Sequence, residues 1–360
     1  MSELRQDPTT REWVIIATER RRRPHEFENV NSGKKGSYEN IPEYSEDCPF
    51  CPGNEYLSPN EIKSFRRYGT FPNSTGWWVR VVPNKFPALS AASGIAQGVS
   101  AVKNVAMDFT GYFFPRATEI FRTKPGVGAH EVVVDTSKHN ESIPSFSDKQ
   151  IQELFLMYKD RYLDLRNDPR FKYIIIFKNS GVNAGTSIIH SHSQIIATPV
   201  IPLTLRNNIQ QARYYFDEVG RCIFCDMIQA EIVDGRRIIL QTTDFIVFHP
   251  FASMNPFETW IMPLSHEPCF ANEDTNKIKA LGVIVKKVIS GMKGALNDPD
   301  YNFVFNNPPI ADEKEEYYHW SLRIIPRISM KAGFEIGTGM SINTAVPEET
   351  AEFMRGFLKE

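Results

Sequence analysis

The strongest constraint on this chain is a four-residue pattern that occurs twice, in the same order. Cys48-Pro-Phe-Cys51 is followed by His139 and then His190, and Cys222-Ile-Phe-Cys225 is followed by His266 and then His319. His139 and His190 are 51 positions apart, and His266 and His319 are 53 apart. The runs before the last histidines match as well, YIIIFKN at 173–179 against YNFVFNN at 301–307. A period this long does not suit a solenoid. It predicts two copies of one domain fused in tandem, residues 1–200 and 201–360, within a length that supports a sizeable core.

Each half has the same grammar. Runs rich in β-branched and aromatic residues at 77–82, 131–134, 245–248 and 259–262 read as strands. Helical patterns follow the histidine-bearing loops, at 147–167 and 273–297. In the first of them Ile151, Leu154, Phe155, Tyr158, Tyr162 and Leu165 recur at helical spacing. Antiparallel strands with one long helix per half give an α+β architecture. The stretch 199–219 reads as a linking helix, and the polar segment 30–46 as a mobile loop. The net charge of −2 argues against a nucleic-acid-binding surface. No apolar run approaches the ~20 residues of a membrane span, and the N-terminus lacks a signal-peptide core. The expected compartment is the cytoplasm.

In a reducing compartment C-x-x-C pairs are metal ligands or redox dithiols rather than structural disulfides. Zinc favours four tetrahedral Cys and His ligands. Cys48, Cys51, His139 and His190 make one such set, and Cys222, Cys225, His266 and His319 make another. Such fully ligated ions have no open position and are structural. Iron could replace zinc in the second set. Cys269, His25 and His249 have no repeat partner and read as structural residues.

The run Ser187-Ile-Ile-His190-Ser-His192-Ser-Gln194 has two histidines and a glutamine at alternate positions, which share a face if the segment is extended. His192 has no ligand duty. Its counterpart in the second half is Ser321, so the first half reads as catalytic and the second as a scaffold. A free, neutral imidazole can act as a nucleophile, with a backbone carbonyl holding its other nitrogen. Gln194 could donate to a phosphoryl oxygen. Asn179, Ser180 and Ser187 supply further neutral donors, and Gly181 and Gly185 let backbone approach an anion.

These residues resemble the histidine-triad superfamily, in particular its galactose-1-phosphate uridylyltransferase branch, over nearly the whole chain. LRQDPTTREWVII at 4–16 is similar to that family's N-terminal strand, and Arg20-Arg-Arg-Arg23-Pro to its basic turn. Cys48-Pro-Phe-Cys51-Pro-Gly-Asn-Glu55 resembles its zinc knuckle, and VRVVPNKFPAL at 79–89 its nucleoside-contacting strand. The resemblance implies that Asn84 and Lys85 lie near the ribose and base, and that Arg20 and Arg23 belong to the substrate site. It implies His192 as the nucleophile, Gln194 as the phosphoryl stabiliser and His190 as a zinc ligand. Lys331-Ala-Gly-Phe334-Glu335 resembles the family's hexose-binding strand, with Glu335 suited to sugar hydroxyls. The implied fold is a tandem pair of antiparallel half-barrels with helices outside, dimeric with shared sites.

Three departures stand out. The motif is His-Ser-His-Ser-Gln, where the best-known uridylyltransferases have proline, then glycine or proline, between these residues. Serine variants occur in a branch resembling plant ADP-glucose phosphorylase. The segment EIGTGMSIN at 335–343 lacks the hexose-contacting glutamine of better-known members, and its Gly-Thr-Gly could bring backbone amides to a phosphate. Cys222 and Cys225 stand where some relatives use a glutamate and extra histidines.

The leading expectation is therefore a uridylyltransferase that exchanges UMP between UDP-glucose and a hexose 1-phosphate such as galactose 1-phosphate, through a covalent nucleotidyl-histidine. Its partners would be a nucleotide sugar and a sugar 1-phosphate, with no nucleic acid and no membrane. The alternatives are an ADP-glucose phosphorylase using inorganic phosphate, and a non-catalytic zinc-stabilised nucleotide-binding protein. A thiol redox enzyme fits less well, because both cysteine pairs have histidine partners.

Overall fold

The computed structural model describes residues 2–19, 41–90 and 124–358. The chain opens with a hairpin, β1 (Glu3–Gln6) and β2 (Trp13–Ile16). The first half continues with β3 (Lys63–Arg66), β4 (Trp77–Pro83), β5 (Ala129–Val134), α1 (Asp148–Leu165), β6 (Tyr173–Ser180) and β7 (His192–Thr198). Helices α2 (Leu203–Val219) and α3 (Ile223–Asp234) lead into the second half. This contains β8 (Ile238–Gln241), β9 (Phe245–Phe248), β10 (Thr259–Pro263), α4 (Thr275–Leu296), β11 (Tyr301–Asn306) and β12 (Ser321–Pro326). It closes with α5 (Gly333–Thr338), β13 (Ser341–Asn343) and α6 (Pro347–Arg355).

Ten strands form one sheet in the order β3-β4-β5-β7-β6-β11-β12-β10-β9-β8. Outward from the β6–β11 seam, the halves use their strands in the same sequence, 6-7-5-4-3 on one side and 11-12-10-9-8 on the other. The duplication is thus an α+β fold whose two antiparallel half-sheets join edge to edge. Helices α1 and α4 pack together over one face, on a core that includes Phe155, Tyr158, Phe303, Phe305 and Trp320. The opposite face carries His192 and Gln194.

Local chemistry explains the long helices. Ser147 caps α1 by accepting from the Gln150 N–H at 3.1 Å, and Asp274 caps α4 by accepting from the Asn276 and Lys277 N–H groups. The helical stripe Ile151, Leu154, Phe155, Tyr158, Tyr162 and Leu165 is buried as the periodicity predicts. Gly282 lets α4 approach α1 closely, since a Cβ there would lie 2.9 Å from the Ile151 carbonyl oxygen.

The structure corrects several sequence expectations. The N-terminal strand is a hairpin, because Asp7 accepts from the Thr9 N–H and hydroxyl at 2.8 and 2.7 Å and turns the chain. β2 pairs in parallel with β13, which brings the first strands beside the last. Helices α3 and α6 were not anticipated. The match of 173–179 to 301–307 is one residue out of register. Ile174 and Ile176 share the helix-covered face with Tyr301 and Phe303, so Asn179 corresponds to Asn306 and Lys178 to Phe305. A one-residue slip would have reversed every side chain. The mobile loop expected at 30–46 lies outside the described residues as far as 40, and Arg20, Arg23 and His25 lie outside them too. Cys269 is fully buried in the core, and buried His249 shares a 2.7 Å hydrogen bond with Thr350. No helix among the described residues is long and apolar enough to cross a membrane.

Candidate active site and metal centres

The first knuckle is held by its own motif. Asn54 donates to the carbonyls of Ser45, Glu46 and Cys48, and Glu55 accepts from Trp77 Nε1 at 2.8 Å and from the Gly53 N–H at 2.9 Å. These bonds tie Cys48 and Cys51 to β4. His190 Nδ1 lies 3.6 Å from both sulfurs, and His139 Nδ1 lies 3.5 Å from Cys51 Sγ. The second set is built differently. Cys222 caps α3, and Cys225 lies in its first turn. Yet Cys225 Sγ lies 3.2 Å from His266 Nδ1 and 3.5 Å from His319 Nδ1. The imidazole centroids are 5.4 Å apart and nearly perpendicular in both sets.

Within each set the four ligand atoms lie within 4.8 Å of one another. A tetrahedral zinc ion, with bonds of about 2.3 Å to sulfur and 2.0–2.1 Å to nitrogen, would separate those ligand types by about 3.6 Å. The donor sets therefore fit such an ion. The far nitrogens fit too, because His190 Nε2–H donates to the Thr136 carbonyl at 2.8 Å and His319 Nε2–H to the Pro263 carbonyl at 3.1 Å. Burial pushes His190 down to about 4, so its imidazole is neutral as a ligand must be. Two thiols and two imidazoles per set leave no vacant position on a four-coordinate ion.

β7 begins at His192, and His190 precedes it in a bend, so the alternating row starts later than the extended reading assumed. Phe50 of the knuckle packs on both rings, 5.3 Å from His192 and 6.2 Å from His190. His192 Nδ1–H donates to the His190 carbonyl at 2.9 Å, leaving the Nε2 lone pair without a partner among the described residues. Burial, aided by the nearby Lys178 ammonium, holds this imidazole below its ordinary pKa and hence neutral.

The histidine that the sequence reasoning missed is His130. It lies on β5, diagonal to Gln194 across the Val132–Gln194 pair. Its Nδ1 accepts from the Ala88 N–H at 3.1 Å, which places the ring proton on Nε2. That Nε2–H donates to Gln194 Oε1 at 2.7 Å, so the Gln194 NH₂ is left to donate outward. Asn84 Nδ2 also lies 3.1 Å from His130 Nε2, but Asn84 Oδ1 accepts from the Phe86 N–H, which fixes the amide. Two donors then face each other, and we read this approach as packing. Alternation on β5 alone could have flagged His130. Its partner was set by strand register.

The other candidates divide. Asn84 joins the His130–Gln194 cluster, whereas Lys85 is exposed and donates to the Leu57 carbonyl at 3.3 Å. Asn179 accepts from Asn302 across the seam at 2.9 Å, Ser180 ends β6, and Ser187 is exposed in the bend before His190. Lys331, Phe334 and Glu335 do not form a strand. Phe334 and Glu335 belong to exposed α5, whose first turn Glu335 caps by accepting from the Ala332 N–H at 3.0 Å. The Gly-Thr-Gly segment ends that helix, with Gly339 at φ +75°.

A sequence model of the galactose-1-phosphate uridyl transferase N-terminal domain matches residues 1–202, more than half of the chain. The chain belongs to the galactose-1-phosphate uridyl transferase family. Among its relatives is an ADP-glucose phosphorylase of Arabidopsis thaliana, 34% identical over 98% of this chain and 92% of the relative. Another is a galactose-1-phosphate uridylyltransferase of Thermotoga maritima, 28% identical over 99% of this chain and 98% of that one. The crystal structure of an Arabidopsis thaliana ADP-glucose phosphorylase with bound ADP-glucose superposes with a TM-score of 0.78, at 32% identity over 99% and 98% of the two chains. A uridylyltransferase structure shares the fold at a TM-score of 0.71 and 23% identity, over 100% and 99%.

For this family member, metal analysis of protein purified without chelator is expected to give about two ions per chain. A chelator should remove the second ion first, because His266 is exposed while the first set is buried throughout. One ion or none in fresh protein would overturn the paired-site assignment.

Proposed function

We propose that this protein is a nucleotide-sugar nucleotidyltransferase with His192 as nucleophile. One observation carries the reading: His192 is neutral, held through Nδ1, and presents a free Nε2 beside a glutamine whose amide is oriented to donate. The Nε2 lone pair attacks the α-phosphorus of the nucleotide sugar. An N–P bond forms, the P–O bond to the sugar phosphate breaks, and hexose 1-phosphate leaves with the electron pair. An acceptor phosphate oxygen then attacks the same phosphorus, and the N–P pair returns to Nε2. The ions in both clusters hold ligands in place. We assign zinc to both, with iron an alternative in the second.

For the acceptor we favour inorganic phosphate, with ADP-glucose as donor. This ADP-glucose phosphorylase reading is supported by the 34% identity over nearly the whole chain to the Arabidopsis thaliana enzyme, and by the shared fold of the ADP-glucose complex. The exchange of UMP between UDP-glucose and galactose 1-phosphate is the second reading, supported by the 28% identity to the Thermotoga maritima enzyme. Residues 1–200 would then be the catalytic domain. Residues 201–360 would be a non-nucleophilic repeat that contributes to sugar binding through Lys331, Phe334 and Glu335. A cytoplasmic homodimer completes the proposal, supported by exposed Ile328, Met330, Phe334 and Ile336 around α5.

The test crosses ADP-glucose and UDP-glucose with inorganic phosphate and galactose 1-phosphate. ADP-glucose with phosphate is expected to turn over fastest, releasing ADP and glucose 1-phosphate. Turnover only with UDP-glucose and galactose 1-phosphate would establish the second reading. Failure of every donor to leave an acid-labile label on the protein would refute nucleotidyl transfer through His192.

A further inference from the structure

Behind the His192 strand, on the face covered by α1, lies a buried polar quartet, of which the chemistry above uses only the Lys178 charge. Lys178 on β6 is 2% exposed and Asp135, just after β5, is 0% exposed. The Lys178 ammonium donates to Asp135 Oδ2 at 2.6 Å, to Ser191 Oγ at 2.9 Å and to the His192 carbonyl oxygen at 2.9 Å. Asp135 also accepts from the Ser191 and Ser193 hydroxyls, at 2.9 and 3.0 Å. Ser193 has spent its proton on Asp135, so Tyr158 donates to it at 2.6 Å. Each of these groups has its partners, and all three ammonium protons are used.

The second half serves as an internal control. Setting His190 and His192 against His319 and Ser321 places Trp320 at the Ser191 position and Leu322 at the Ser193 position. Gln194 then matches Arg323. Its neighbour Phe177 matches Val304, so Lys178 matches Phe305. On the other side Val132 matches Trp260 and Val133 matches Ile261, which puts Asp135 at Met262 or Pro263, both apolar. The half without a nucleophile fills all four positions with apolar side chains. The fold therefore does not require charge there. A buried ion pair generally stabilises no better than apolar packing of the same volume, so stability alone does not account for the quartet.

We propose that Lys178, Asp135, Ser191 and Ser193 are positioning residues that fix the backbone carrying His192. The paired register of β6 and β7 runs to Phe177–Gln194, next to the point where His192 must be held. There Lys178 takes the His192 carbonyl, while the Asp135 N–H donates to the Ser191 carbonyl at 3.1 Å. The His190 carbonyl is already engaged by the His192 ring. Three successive carbonyls are thus clamped, and they set where Nε2 points. The quartet also gives a physical reason for the Ser-His-Ser sequence: proline or glycine at 191 and 193 would leave Asp135 without two of its donors.

The inference rests on His192 being the nucleophile. Its test uses ADP-glucose labelled at the α-phosphorus and follows labelling of the protein in a single turnover. The variant Asp135→Leu/Lys178→Met/Ser191→Ala/Ser193→Ala copies the apolar character of the second half. It is expected to keep both metal ions and the KM for ADP-glucose, with a melting temperature lowered by a few degrees because the Tyr158 hydroxyl and the His192 carbonyl lose their partners. The labelling rate is expected to fall roughly 10²-fold, as for a misplacement of about 1 Å. A rate within threefold of wild type would overturn the inference while leaving the nucleophile assignment intact. An unlabelled wild-type protein would overturn both. If the quadruple variant fails to fold, Ser191→Ala and Ser191→Thr decide. Slowing by alanine with recovery by threonine supports the clamp, and equal rates in alanine and wild type reject it.

Discussion

Replacing His192 with alanine is expected to abolish the covalent nucleotidyl-enzyme and lower turnover by at least roughly 10⁴-fold, the scale of losing a nucleophile whose intermediate divides the reaction. Both metal ions should stay. His190→Ala should instead lose the first ion, and with it the mounting of the adjacent strand. The division follows from the ring nitrogens. His190 turns Nδ1 to two sulfurs and gives Nε2–H to Thr136, whereas His192 gives Nδ1–H to a carbonyl and keeps Nε2 free. In His192→Gly an added nucleoside 5′-phosphoimidazolide should restore the second half-reaction, since it brings the missing ring attached to phosphorus. Metal content, protein labelling and imidazolide turnover together check the assignment. A labelled His192→Ala protein would require a different nucleophile.

Gln194→Ala is expected to lower kcat by roughly 10²–10³, with little change in KM, because a neutral donor aimed at a phosphoryl oxygen acts most strongly where charge shifts in the transition state. The structure adds a second arm. His130 fixes the amide by donating to Oε1, which leaves the NH₂ free to donate to a phosphoryl oxygen. His130→Ala frees that amide to rotate, and its kcat is expected to fall about tenfold, the effect of losing one orienting bond. The double variant should be no worse than Gln194→Ala, since His130 acts through Gln194. A double-mutant cycle in steady-state kinetics separates these outcomes. Additive losses would mean that His130 meets substrate directly, and a raised KM alone would assign Gln194 to ground-state binding.

Much of this site was legible because its chemistry is local or repeated. The two Cys-x-x-Cys pairs and four histidines marked the clusters, and both occur with closely similar geometry although the first pair sits in a loop and the second at a helix start. Helices α1 and α4 were legible from their helical patterns, and their caps emerged with the structure. Helix α3 was not: its apolar residues Ile223, Phe224 and Ile228 serve the second knuckle and do not form a long stripe. The family resemblance implies a strand around Glu335, whereas a capping bond from the Ala332 N–H to its carboxylate sets a helical turn there.

Alternation and the repeated ligand order were enough, by themselves, to point to the duplication, the α+β class, the two candidate ligand sets and His192 as the candidate nucleophile. These depend on residue identity at short spacing, which a sequence records directly. Strand register and the approach of distant segments belong to the tertiary structure. It decided that His130 orients Gln194, that Asn179 matches Asn306, and that Lys178 and Asp135 meet behind His192. The physical reason is the pleat. Which residue faces which across a sheet changes completely with a shift of one position, and that shift is fixed by packing of the whole sheet against α1 and α4.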